Sequence, residues 1–213
     1  MSPPAVNIEL VFLVEEETAR IVLDAIVPRI VGDIPFHVHC SRGKQDLLRK
    51  LPHRLAAYQS MPSDATCVVV LIDEDRQDCH VLKATLEEHA LKAGFATKSS
   101  RREERFRVLN RIAVEELEAW FFGDIEALTS AYPHVPRTLH LKRGLRDPDA
   151  IKGGTWEALE RVLMKAGYHK GGLQKIRAAR EVTAYMDPAR NQSHSFQVFM
   201  DGLRALINQF SDN

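Results

Sequence analysis

Cys67 to Ile72 is an unbroken apolar run, Cys-Val-Val-Val-Leu-Ile, and it ends on the acidic triplet Asp73-Glu74-Asp75. Its length and β-branched content read as a strand, and because no polar residue alternates through it, both faces must be covered. That is the environment of a strand inside a parallel sheet. Two further runs fit beside it. Asn7 to Val14 is apolar and β-branched, stops at Glu15-Glu16-Glu17-Thr18, and is followed by Ala19, Val22, Leu23 and Ile26 at helical spacing. Pro35 to Cys40 reads as another strand and Gln45 to Tyr58 as its helix, with Leu47, Leu51 and Leu55 along one face. Residues from Asp78, a cap, to Ala93 read as helix again. Strands alternating with helices build parallel β-α-β units, so the expected class is α/β, a parallel sheet flanked by helices.

Phe106 to Val114 supplies one more strand, and a helix is expected to start near Val114. On that helix Val114, Leu117 and Phe121 form the apolar stripe, Glu118 falls inside its edge, and Trp120 packs the segments that follow. Beyond Asp124 the pattern breaks into short helices punctuated by Pro133, Pro136, Pro148, Gly153-Gly154 and Gly171-Gly172. The expected organisation is an α/β domain over residues 1–125 and a helical annex over 126–213 packed on it, or one continuous domain. A last helix is expected from Ser195 through Phe196, Phe199, Leu203 and Ile207.

Composition sets outer bounds. The 213 residues carry 29 basic and 29 acidic side chains, so any attraction to nucleic acid must be local. The apolar stretches are too short to span a bilayer and Met-Ser-Pro-Pro has no basic lead into an apolar run, so a cytoplasmic protein without membrane contact is expected. Cys40, Cys67 and Cys79 have neither disulfide-framework nor zinc-site spacing and are read as reduced thiols. His37 and His39 share a strand face and are read as sheet residues, with no third ligand nearby in sequence.

The acids carry the chemistry. In a parallel sheet the carboxyl ends of the strands line one edge, which brings Glu15 and Asp73 together although they are far apart in the chain. Asp75 returns to the same side if the chain stays extended, giving hard oxygen ligands of the kind Mg²⁺ prefers. The blander reading is that such acids cap helices and favour their N-termini, a role that suits Glu16 and Glu17. Acids converging without a cation would repel one another, which favours metal binding for Asp73 and Asp75. A carboxylate on an apolar stripe needs a partner, so Glu118 should meet a metal or a later cation, or reach water.

Cations gather elsewhere. Lys98, Arg101, Arg102, Arg105 and Arg107 form one cluster, and Lys142, Arg143, Lys152, Lys170 and Lys175 follow. Each cluster alone reads as a solvated surface, while the set together leans toward phosphate binding, with glycines beside lysines at 152–154 and 170–172. Ser41-Arg42-Gly43-Lys44 lies on the same sheet edge as the acids and has the charge for a phosphate contact without Walker A spacing.

Taken together, Leu13-Val14-Glu15 and Leu71-Ile72-Asp73-Glu74-Asp75 resemble the TOPRIM domain of topoisomerases, DnaG-type primases and OLD-family nucleases. The likeness extends to the TOPRIM-like bacterial family called domain of unknown function 4276. It runs through Gly43-Lys44, Glu115 to Asp124, Leu173-Gln174-Lys175 and Arg190-Asn191-Gln192-Ser193-His194-Ser195-Phe196. The resemblance implies that Glu15 is a general acid/base or metal ligand, that Asp73 and Asp75 hold Mg²⁺ or Mn²⁺, and that Glu118 binds a second metal. It further implies a role beside an ATPase partner in bacterial defence. Glu16 departs from the glycine that commonly follows the first Glu. The expectation is a metal-dependent nuclease acting on DNA or RNA, with Lys44 and Lys175 neutralising developing charge and Arg101, Arg102, Arg105, Lys142, Arg143 and Lys170 contacting nucleic acid. The alternatives are a non-catalytic nucleic-acid- or partner-binding module and a phosphate-accepting receiver-like protein. Oligomerisation is left open.

Overall fold

The computed structural model describes residues 8–61, 65–75, 77–100 and 105–210. Four parallel strands, β1 (Glu9–Val14), β2 (Phe36–Cys40), β3 (Thr66–Asp73) and β4 (Val108–Ala113), form one sheet in the order β2-β1-β3-β4. Helices α1 (Glu17–Val31), α2 (Lys44–Gln59) and α3 (Cys79–Lys92) make the crossovers. The fold is therefore α/β with a four-stranded parallel sheet flanked by helices.

The apolar run of β3 is covered on both faces. Cys67, Val69 and Leu71 join Leu10, Phe12 and Val14 of β1 in one core with α1, while Val68, Val70 and Ile72 join Val11 and Leu13 in a second core. Leu47, Leu51 and Leu55 of α2 and Leu82, Leu86 and Ala90 of α3 close that second core. Alternate side chains of one strand thus serve opposite layers, which leaves no polar face on β3.

The chain after β4 departs from the expected helix start. Glu115 takes a left-handed backbone (φ 60°), and α4 begins only at Ala119 (Ala119–Gly123). The cause is local: the Glu115 N–H donates to Glu74 Oε2 at 3.0 Å, and its carbonyl accepts from the Asp75 N–H at 2.8 Å, so the ends of β3 and β4 are tied before a helix can form. The wheel drawn from Val114 therefore does not apply, although Glu118 is buried as it implied.

Helices α5 (Ile125–Ala131), α6 (Thr155–Lys165), α7 (Lys175–Thr183) and α8 (His194–Asn208) follow, with short helical turns at Leu139–Leu141 and Pro148–Ala150. They share the first core with α1, β1 and β3 through Trp120, Phe196, Phe199 and Leu203. Helix α8 begins at His194, and its cap is Ser193, two residues before the expected Ser195, its side chain accepting from the Phe196 N–H. Ser195 instead accepts from Trp120 Nε1 at 3.0 Å and donates to Asp149 Oδ1 at 2.6 Å. The Arg190–Phe196 segment clamps the end of α4. Asn191 Nδ2 donates to the Trp120 carbonyl at 2.8 Å, and Arg190 holds the buried Asp124 carboxylate through bonds of 2.8 and 3.0 Å.

Candidate metal centre

In the strand order β2-β1-β3-β4 the connection from β1 runs to β2 on one side and that from β3 runs to β4 on the other, so the topological switch point lies between the carboxyl ends of β1 and β3. Open α/β sheets bind ligands in that crevice. Glu15 follows β1 and Asp73 ends β3, and the two are joined directly: the Asp73 N–H donates to Glu15 Oε1 at 2.8 Å. Glu118, 2% exposed, lies in the turn after β4, near enough to act electrostatically on Asp73. A cavity of about 10 Å³ is lined by Glu15, Glu16, Ala19, Leu71, Asp73 and Leu117, room for one water-sized species.

The electrostatics of this corner are unfavourable to bare carboxylates. Burial pushes Glu15 up to about 7, against the pull of the Asp73 N–H and Lys44. Burial, reinforced by Glu15, Glu118, Asp75 and Glu16, holds the Asp73 carboxyl well above its usual range. Glu118 is likewise raised to about 7 by burial, with Lys175 opposing. Lys175 Nζ stands 3.6 Å from Glu118 Oε1, too far for a hydrogen bond, and that buried oxygen has no hydrogen-bond partner. Burial works against the Lys175 ammonium, but Glu118, Glu16, Glu116 and Asp73 outweigh it and raise its pKa. An orphaned buried carboxylate oxygen among acids that repel one another fits a divalent cation.

Asp75 departs from the extended geometry expected for it. The chain is no longer extended there (φ 52°), and the Asp75 carboxylate is turned to Lys44, with Nζ to Oδ2 at 2.5 Å. Lys44 also donates to the Glu74 carbonyl at 3.1 Å, so its ammonium bridges the loop after β3. Among the described residues no group of three or more His, Cys, Asp or Glu side chains stands ready to ligate a metal together. His37, exposed on β2, pairs with Glu9 at 3.1 Å.

The Lys44–Asp75 pair forms one wall of a cleft of about 670 Å³, whose other walls include Glu115, Gly153, Gly154 and Trp156. Sequence reasoning missed how that far wall is attached. Glu116 Oε2 accepts from Thr155 Oγ1 and from the Trp156 N–H, both at 2.9 Å, tethering the start of α6 to the end of β4. The signal was present in Glu115-Glu116 as acids after a strand, but their partners forty residues on carry no mark in sequence. Lys175 lies over the Trp156 ring at 5.2 Å, which links this wall to Glu118.

The described members of the expected nucleic-acid set stand in different local settings. Arg105 lies over the Phe210 ring at 5.2 Å, and Lys170 is exposed on the turn before α7. Lys142 and Arg143 line a different pocket, described below, and Arg101 and Arg102 fall outside the described residues. No described helix is long and apolar enough to cross a membrane.

No curated protein and no solved structure matches the chain. The family model described as Domain of unknown function (DUF4276) matches residues 14–204, from the last residue of β1 to the middle of α8. The match spans the sheet edge, the acids after β1, β3 and β4, and the clamp at Arg190–Phe196, and the chain belongs to the DUF4276 family.

Proposed function

We propose that this protein is a Mg²⁺- or Mn²⁺-dependent phosphodiester-cleaving enzyme of the nuclease type, acting on nucleic acid at the carboxyl edge of its sheet. The observation that carries the reading is the buried Glu118 oxygen, which has the Lys175 ammonium at 3.6 Å but no hydrogen-bond partner, together with the buried Asp73 carboxyl, on which Glu15 and Glu118 both act repulsively, a setting that favours a cation. Glu15, Asp73 and Glu118, which do not converge as a ready ligand group in this structure, would have to close in on one another to hold it, with Asp75 the neighbouring acid now paired to Lys44. When bound, such a cation polarises a phosphoryl oxygen and acidifies a water ligand.

The remaining roles belong to the chain's own residues. Without metal the Glu15 carboxyl is raised to about 7, so as a ligand it must first lose its proton. Lys44 and Lys175 supply positive charge where negative charge develops in a displacement at phosphorus. Gly153, with open space where a Cβ would stand, lets a phosphate approach the main chain, whereas at Gly154 that space holds the Glu157 carboxylate, and Trp156 offers an indole face to a base. The TOPRIM resemblance and an ATPase partner in bacterial defence are part of this proposal.

The test is cleavage of supercoiled, linear, single-stranded and RNA substrates with Mg²⁺ or Mn²⁺, comparing the parent with Asp73→Asn. Loss of cleavage in the variant supports the assignment, and undiminished cleavage removes the carboxylates from the mechanism. A non-catalytic nucleic-acid- or partner-binding module is favoured by one observation, the 2.5 Å Lys44–Asp75 pair, in which a lysine already neutralises one of the acids. That reading requires no turnover on any substrate together with salt-sensitive binding.

A further inference from the structure

A second pocket, of about 450 Å³, lies on the far side of the 151–154 turn from the carboxylate cleft. Its rim carries Lys142, Arg143, Lys152, Arg161 and Lys165, and no acid lines it. All five cations are exposed, and none has a carboxylate partner within 4 Å among the described residues. In a chain whose formal charge is zero this is a local excess of positive charge. Arg161 and Lys165 stand at i and i+4 on α6, a spacing at which like charges repel, so an anion between them relieves a cost present without it.

The floor differs from the rim. Leu139, Ile151 and Ala158, each no more than 3% exposed, give the pocket an apolar base, and His134 at its edge stacks on Tyr168 with ring centroids 5.4 Å apart. An apolar base under a ring of cations suits a ligand with a flat, weakly polar body and a phosphate, rather than a bare inorganic anion. We propose that this pocket binds a phosphorylated nucleotide, its phosphate held by Arg161, Lys165, Lys142 and Arg143 and its base laid on the apolar floor. The preference for a phosphate comes from the pocket itself, and only the choice of a nucleotide rests on the nucleic-acid reading above. A free nucleotide and the phosphorylated nucleotide at a strand end are two sources of the same chemistry.

Calorimetric titration in EDTA, with the Asp73→Asn protein so that cleavage plays no part, separates them. The probes are AMP, ATP, a 5′-phosphorylated eight-base DNA and its unphosphorylated twin. Saturable binding of AMP or ATP, weakened about tenfold or more by Arg161→Gln with Lys165→Gln, supports the pocket and assigns the free nucleotide. Binding confined to the phosphorylated DNA, with the same loss, supports it and assigns the strand end. Lys142→Gln with Arg143→Gln, on a separate segment of the rim, must show the same loss in a protein with parental circular dichroism. No saturable binding of any probe, or binding that both double variants leave unchanged, overturns the proposal. A parent that binds these probes but cleaves nothing retains the pocket and loses the nuclease reading, and the converse result removes the pocket alone.

Discussion

The backbone N–H of Asp73 donates to Glu15 Oε1 at 2.8 Å, so the side chain that follows β1 is fixed across the sheet by the last residue of β3. The bond orients one Glu15 oxygen and pulls its pKa down, but burial outweighs it, and Glu15, Asp73 and Glu118 all titrate above their usual range. That clustering has measurable consequences.

Stability without metal should fall as pH rises from 4.5 to 7. Glu15 and Glu118 have an ordinary value of 4.5 and are raised to about 7 in the fold, so in that window the folded protein keeps protons that the unfolded chain has released. The contribution of the fully buried Glu118 alone is on the order of 3 kcal/mol, complete below pH about 4.5 and lost above about 7. Urea unfolding at pH 5 and pH 8 in EDTA measures it, and millimolar Mg²⁺ should recover most of the loss at pH 8. Glu118→Gln should flatten the pH dependence.

Replacing Lys175 by Met removes the nearest positive charge from Glu118, whose pKa should then rise above 7. The acid limb of the pH–rate profile should move to higher pH, and at pH 7 the affinity for Mg²⁺ should weaken, since the ligand must first lose its proton. A variant profile that superimposes on the parent's would separate Lys175 from the site.

Lys44→Met frees the Asp75 carboxylate from its 2.5 Å ion pair. Mn²⁺ affinity should hold or tighten, while cleavage at saturating metal should drop about 100-fold if the ammonium stabilises developing charge. Steady-state kinetics beside a Mn²⁺ titration separates these effects.

Gly123→Ala should destabilise the fold by about 1–3 kcal/mol, an overpacking cost. A Cβ there would lie 2.0 Å from Asn191 Oδ1 and 2.8 Å from the Ser193 backbone nitrogen, both parts of the clamp that holds α4. Thermal unfolding measures the cost, and a paired Asn191→Ala change should return part of it while giving up the bond to the Trp120 carbonyl.

Much of this was readable in the chain because it depends on local pattern. The unbroken Cys67–Ile72 run, the alternation of strands with helices and the Asp78 cap, which accepts from the His80 and Val81 N–H groups, all express periodicity or short-range hydrogen bonding. Glu15 and Asp73 were placed together by a topological rule that needs only the strand order. What sequence could not carry was set by contacts between distant segments. The left-handed turn at Glu115 comes from Glu74 across the sheet, the turning of Asp75 toward Lys44 comes from the first residue of α2, and the cleft wall comes from Glu116 reaching Thr155 and Trp156. The Arg190–Phe196 motif helped identify the family, yet its side chains are occupied in holding α4 rather than in the carboxylate corner.

Anomalous scattering from a crystal soaked in millimolar Mn²⁺ at pH 8 tests the central claim most directly. The expected result is a peak touching Glu15, Asp73 and Glu118, absent from the Asp73→Asn protein treated in the same way. No peak at that corner in the parent would contradict it.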